Sequence, residues 1–156
     1  MDDRVKNLKT PEQCEIFARN AAERDRPDLS DEARIRAVQL RAKAYGAETA
    51  AENEALQAIY AYEEVLTRKN GKRTRASRTW PMIKRHGIIG AVERAVNREV
   101  APQGYTALVE MGLEEFAFEA VILRHPDVFS DEAVQRSTER LREWNSRTDT
   151  PQDKVR

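Results

Sequence analysis

From Cys14 to Trp144 apolar residues recur three or four positions apart, and nowhere does the chain alternate apolar and polar residues over the length of a strand. A spacing of three and four lines one face of an α-helix, whereas a strand needs a period of two. The pattern specifies an all-α protein without a sheet. Thr74 marks the one place where a residual hairpin stays open.

Capping residues and breakers divide the pattern into helices. Thr10-Pro11 opens the first, with Gln13 three positions after the cap, and Cys14, Phe17, Ala18 and Ala21 form its apolar stripe. It ends near Asp25. Ser30 caps a second helix, in which Ile35, Val38 and Ala42 face inward and Gly46 ends the run. The third is the longest, from Glu48 to Lys69. Its inner face is Ala55, Ala58, Ile59, Tyr62, Val65 and Leu66, with Glu52, Glu54, Glu63 and Glu64 mostly off that face. Asn70-Gly71 stops it. A short helix follows from Thr79 to Gly87 and another from Ile88 to Arg98. After a break at Pro102-Gln103-Gly104, a short helix ends at Gly112. Leu113 to Arg124 reads as one helix, apolar on so many sides that it belongs in the middle of the fold. Ser130 caps the last helix, in which Val134, Leu141 and Trp144 face inward.

These elements fit a single-domain bundle of about seven or eight helices over residues 1–145, followed by a polar, flexible tail at 146–156. A length of 156 residues suits one domain. The single cysteine, Cys14, excludes an internal disulfide and agrees with a reducing compartment. No apolar run approaches the ~20 residues that span a bilayer, and the N-terminus is polar. The expected location is the cytoplasm, with no membrane partner.

Net charge is zero, but charge is segregated. Between Val65 and Val92 there is no acidic residue and eight cations: Arg68, Lys69, Lys72, Arg73, Arg75, Arg78, Lys84 and Arg85. The remainder of the chain therefore carries a net charge of −8. Between the long helix and the helix-turn-helix-like segment that follows, this basic arm (68–86) has no apolar period and reads as a loop. Clustered cations neutralise phosphates and release counterions. Thr74, Ser77 and Thr79 add hydroxyl donors, and Trp80 supplies a ring on which a base can stack. The expected function is nucleic-acid binding, DNA before RNA, through Arg68, Lys72, Arg73, Arg75, Arg78, Trp80, Lys84 and Arg85. Arg94 and Arg98 extend that footprint if their helix lies beside the arm. The competing reading is a protein-interaction or regulatory module whose arm docks on an acidic partner; the plainer alternative is a solvated loop whose charges pair with acidic helices of its own domain. Self-association is compatible with either.

The segment from Arg78 to Arg98, with Gly87 in its turn, has the outline of a helix-turn-helix. Yet Ile88-Ile89-Gly90-Ala91 offers little with which to read bases. Catalysis is not expected. His86 and His125 stand at helix ends without a metal-ligand neighbour one turn away. Cys14 lies on an apolar stripe, and Glu114, Glu115 and Glu119 read as the wet face of a helix. No cofactor or metal is implied.

Overall fold

The Schellman turn after the first long helix sets the packing of the N-terminal third. In the computed structural model, which describes residues 1–98 and 103–155 with side chains through Ser146, α2 spans Pro11–Glu23 and α3 Pro27–Tyr45. Arg26 N–H donates to Ala21 O at 2.8 Å and Asp25 N–H to Ala22 O at 3.1 Å, with Asp25 at φ 58°. So tight a reversal makes α2 and α3 an antiparallel pair. The expected caps hold in part. Thr10 Oγ1 accepts from Gln13 N at 3.1 Å, but Gln13 Oε1 accepts from Lys9 N at 2.8 Å rather than from Thr10. α3 starts three residues earlier than Ser30. Pro27 takes the first helical position, where a missing N–H costs nothing, and Ser30 is buried within the helix. A short helix, α1 (Asp3–Lys6), precedes these and was not legible from periodicity, since Val5 is its one buried side chain.

The long helix α4 (Ala50–Asn70) is the spine of the bundle. Gly46 ends α3 at φ 84°, and Thr49 with Glu52 forms a reciprocal capping box at the start of α4. Ala55, Leu56 and Ile59 meet Val92, Val96 and Ile122 in one core cluster. Ala61 meets Val38, Met111, Leu113 and Phe116 in a second. The same helix therefore serves both halves of the core.

α5 spans Thr79–Asn97 but is broken at Gly87, whose φ of 77° and ψ of 172° are not helical, so the two expected helices are present. Pro102 lies outside the described residues, while Gln103 and Gly104 open α6 (Gln103–Glu110) instead of breaking the chain. The single helix expected from Leu113 to Arg124 is divided into one 3-10 turn, Glu114–Phe116, and α7 (Phe118–Arg124). Ala117, at ψ 144°, separates them. A continuous helix would send residues two apart to nearly opposite sides. With the break, Phe116 enters the second core cluster while Phe118 packs against Tyr62, ring centroids 6.2 Å apart. The wide apolar surface thus reflects two short elements rather than one central helix. α8 (Asp131–Val155) is capped by Ser130, whose Oγ accepts from Ala133 N at 3.2 Å. It continues as helix through the stretch expected to form a tail. No strand occurs among the described residues. The architecture is an all-α, single-domain bundle of eight helices in this region.

Candidate nucleic-acid interface

Two glutamates on α4 shape the basic arm. Sequence patterning sets Glu63 and Glu64 off the inner face, but they are 5% and 8% exposed. Glu63 Oε2 accepts from Ala76 N at 2.8 Å, from Trp80 Nε1 at 2.6 Å and from Arg75 Nε at 3.2 Å. A single carboxylate oxygen therefore fixes the arm's backbone, an arginine and the first turn of α5. One helical turn further on, Thr67 Oγ1 accepts from Thr74 N at 3.0 Å. Glu64 pairs with Arg73, and lies 3.7 Å from Arg41. Glu15 of α2 joins this cluster, 2.6 Å from Arg41 and 3.2 Å from Arg73. Burial pushes the Glu64 carboxyl above its ordinary range, and the two arginines act against that rise.

The eight cations divide accordingly. Arg68 pairs with Glu110 at 3.3 Å, Arg73 with Glu64 and Glu15, and Arg75 with Glu63. Lys69, Lys72, Arg78, Lys84 and Arg85 are exposed and have no ion-pair partner among the described residues. Arg78 immediately precedes α5 while Lys84 and Arg85 lie within its first half, where Thr79 and Ile83 point into the protein. At 100° per residue, Lys84 and Arg85 fall on the opposite, outward side. Pro81 accompanies them and removes a backbone donor that this end of the helix would otherwise present.

Trp80, the ring expected to stack a base, is engaged within the fold. Its ring stacks on Tyr45 at 6.1 Å, leans on Tyr60 at 5.3 Å and lies under Arg75 at 4.9 Å. With its N–H on Glu63 and its ring packed against the core, it anchors the arm to the bundle. The helix-turn-helix outline fails as a reading device. Ile88, Ala91 and Val92, at the start of the second half of α5, are buried in the core. Glu93 accepts from Ser130 N at the start of α8. Arg94 faces outward, 3.3 Å from His86 Nδ1.

Among the remaining candidates, His125 and Glu119 have structural partners. His125 Nε2 meets Glu54 Oε2 at 2.6 Å, and Arg124 Nε meets Glu54 Oε1 at 2.6 Å, tying α7 to α4. Glu114 and Glu115 are exposed, whereas Glu119 is 5% exposed and 3.4 Å from Arg140. The break at Ala117 removes the shared wet face expected of these three residues, and burial pushes the Glu119 carboxyl upward. Cys14 is buried, and its thiol is likewise raised by burial. Among the described residues no group of three or more His, Cys, Asp or Glu is placed to hold a metal. No helix there is long and apolar enough to cross a membrane.

Sequence reasoning missed Glu63, Glu64 and a cavity of about 420 Å³ beneath the arm, bordered by α4, α6, α7 and the end of α5. A signal for the glutamates was present. They are the last acids before the acid-free window, so they are the counterions nearest in sequence to its cations. No protein-family model matches the chain, and neither the curated proteins nor the solved structures include a match to it.

Proposed function

We propose that this protein binds nucleic acid, DNA in preference to RNA, as a non-catalytic module acting in the cytoplasm. The observation that carries the reading is the division of the basic window: three cations are held by glutamates, and five stay exposed without an acidic partner among the described residues. The paired arginines shape the surface, and Lys72, Arg78, Lys84 and Arg85 supply its field. Such a ridge suits the sugar–phosphate backbone, whose affinity rests on counterion release and carries little sequence information. Arg73 and Arg75 move from the binding set to the supporting set, because replacing them disturbs the arm as well as its charge.

The test is fluorescence anisotropy with labelled duplex DNA, single-stranded DNA and RNA at two salt concentrations. Binding should weaken steeply with salt. Lys72→Glu, Lys84→Glu and Arg85→Glu together should weaken it on every sequence and flatten the salt slope by about 0.9 per lost phosphate contact on duplex. Absence of binding to all three at low salt would sink the reading. The alternative is then an interaction module that docks the same ridge on an acidic protein. Neutralisation of Arg68, Arg73 and Arg75 inside the domain favours that alternative, since it leaves less charge for phosphates.

A further inference from the structure

The cavity beneath the arm combines three kinds of wall. Tyr62 and Phe118 form one aromatic side, and Tyr105 and Trp144, stacked at 5.3 Å, form another. Glu119 contributes a carboxyl that is itself 5% exposed. Arg78 and Arg98 stand at the cavity as cations with no ion-pair partner among the described residues, beside the Ser77 hydroxyl. A volume of about 420 Å³ suits a ligand of nucleoside size.

These walls select among ligands. Two arginines lining one cavity favour a phosphate, which arginine grips through two parallel hydrogen bonds. Aromatic walls favour a flat ring. Arg140 reaches one oxygen of the Glu119 carboxylate at 3.4 Å, and a hydrocarbon chain laid against that group would exclude water from it while offering no further donor, which is costly. A base with an amino edge presents N–H groups to it instead, as carboxylates accept from the amino group of cytosine. We infer that this cavity takes one nucleotide unit, its base between the aromatic walls with an amino edge on Glu119, and its phosphate on Arg78 and Arg98. The inference rests on the nucleic-acid reading for one source of that nucleotide, an unpaired residue of a bound strand. A free mononucleotide has the same chemistry.

The experiment is calorimetric titration of the full chain with guanosine, adenosine, cytidine and uridine monophosphates, and separately with a short single-stranded DNA. Native protein is compared with Arg98→Ala, Glu119→Gln and the ridge variant carrying Lys72→Glu, Lys84→Glu and Arg85→Glu. The expected result is that the three amino-bearing nucleotides bind more tightly than uridine monophosphate. Arg98→Ala should weaken binding about tenfold, the scale of one charge-assisted hydrogen bond. Glu119→Gln should erase the preference over uridine. Should Glu119→Gln fail to fold, Tyr62→Leu, at a partly exposed wall position, tests the ring contact instead.

Mononucleotide binding with these sensitivities but no strand binding would support the cavity and overturn the nucleic-acid reading. Strand binding that falls in both Arg98→Ala and Glu119→Gln, without mononucleotide binding, would assign the site to a base within a strand. Strand binding lowered by the ridge variant but untouched by the cavity variants, with no mononucleotide bound, would overturn the inference and leave the ridge reading intact. Equal affinity for all four mononucleotides, or binding of a medium-chain carboxylate in their place, would also overturn it.

Discussion

Asp25 holds a left-handed backbone, φ 58°, at the position of the Schellman turn where glycine is the usual residue. A side chain there costs about 1 kcal/mol, partly offset by the extra freedom glycine gains in the unfolded chain. Asp25→Gly should therefore raise the unfolding free energy by about 0.5 kcal/mol, read from urea denaturation. Glu63 lies at the other extreme. Removing its carboxylate strands the Ala76 amide, the Trp80 indole and Arg75 together. Glu63→Ala should cost about 3 kcal/mol, a large share of the 5–15 kcal/mol that holds a typical domain folded. A shift of the urea midpoint no larger than that of an exposed Glu115→Ala control would refute that role.

Helices with one clear stripe and a start or stop signal were legible, as α2 demonstrates through Thr10 and α4 through Gly71, although α4 begins at Ala50 behind a Thr49 cap rather than at Glu48. Elements that local pattern misplaced had tertiary causes. Ser30 has the chemistry of a cap, yet Pro27 starts α3 earlier and the serine is buried within it. The run from Leu113 to Arg124 is helical by composition, yet Ala117, at ψ 144°, breaks it between Phe116 and Phe118. The candidate site was half legible for the same reason. Charge segregation located the arm, but one-dimensional spacing cannot tell that Glu63 turns inward and draws Arg75 and Trp80 after it. Gly87 was legible both as a break and in its physical reason. A methyl group there meets no atom within 4 Å, so the cost of Gly87→Ala is conformational alone. Its φ of 77° and ψ of 172° lie in a region open essentially to glycine alone, which sets that cost at about 2 kcal/mol, measurable as a lowered melting temperature with the helical circular-dichroism spectrum retained.

Across the whole molecule, a buried carboxyl, Glu119, and a half-buried one, Glu54, respond to pH in opposite directions. Burial raises Glu119, so the folded state takes up its proton before the unfolded chain does. Its ionised form weighs against folding at neutral pH, and that penalty disappears as pH falls through the raised value. The stability of the native protein relative to Glu119→Gln should accordingly rise on acidification. At Glu54, burial pushes the carboxyl up, but hydrogen bonds from Arg124 and His125 outweigh it and hold the group below its ordinary value near 4.5. Its contribution is present above that ordinary value and is lost as pH falls through the lowered one. Glu54→Gln should therefore be least stable relative to the native protein at neutral pH, with the gap closing in acid. Thermal melts of both variants from neutral pH down to about pH 2, below the ordinary carboxylate range, would check the two signs together. The arm has a different kind of timing. Its Ala76 amide hydrogen is sealed on a carboxylate that belongs to α4, so deuterium reaches it only when that contact opens. The arm should exchange in step with the spine helix rather than with other surface loops, and a partner would meet a shape already ordered before it arrives.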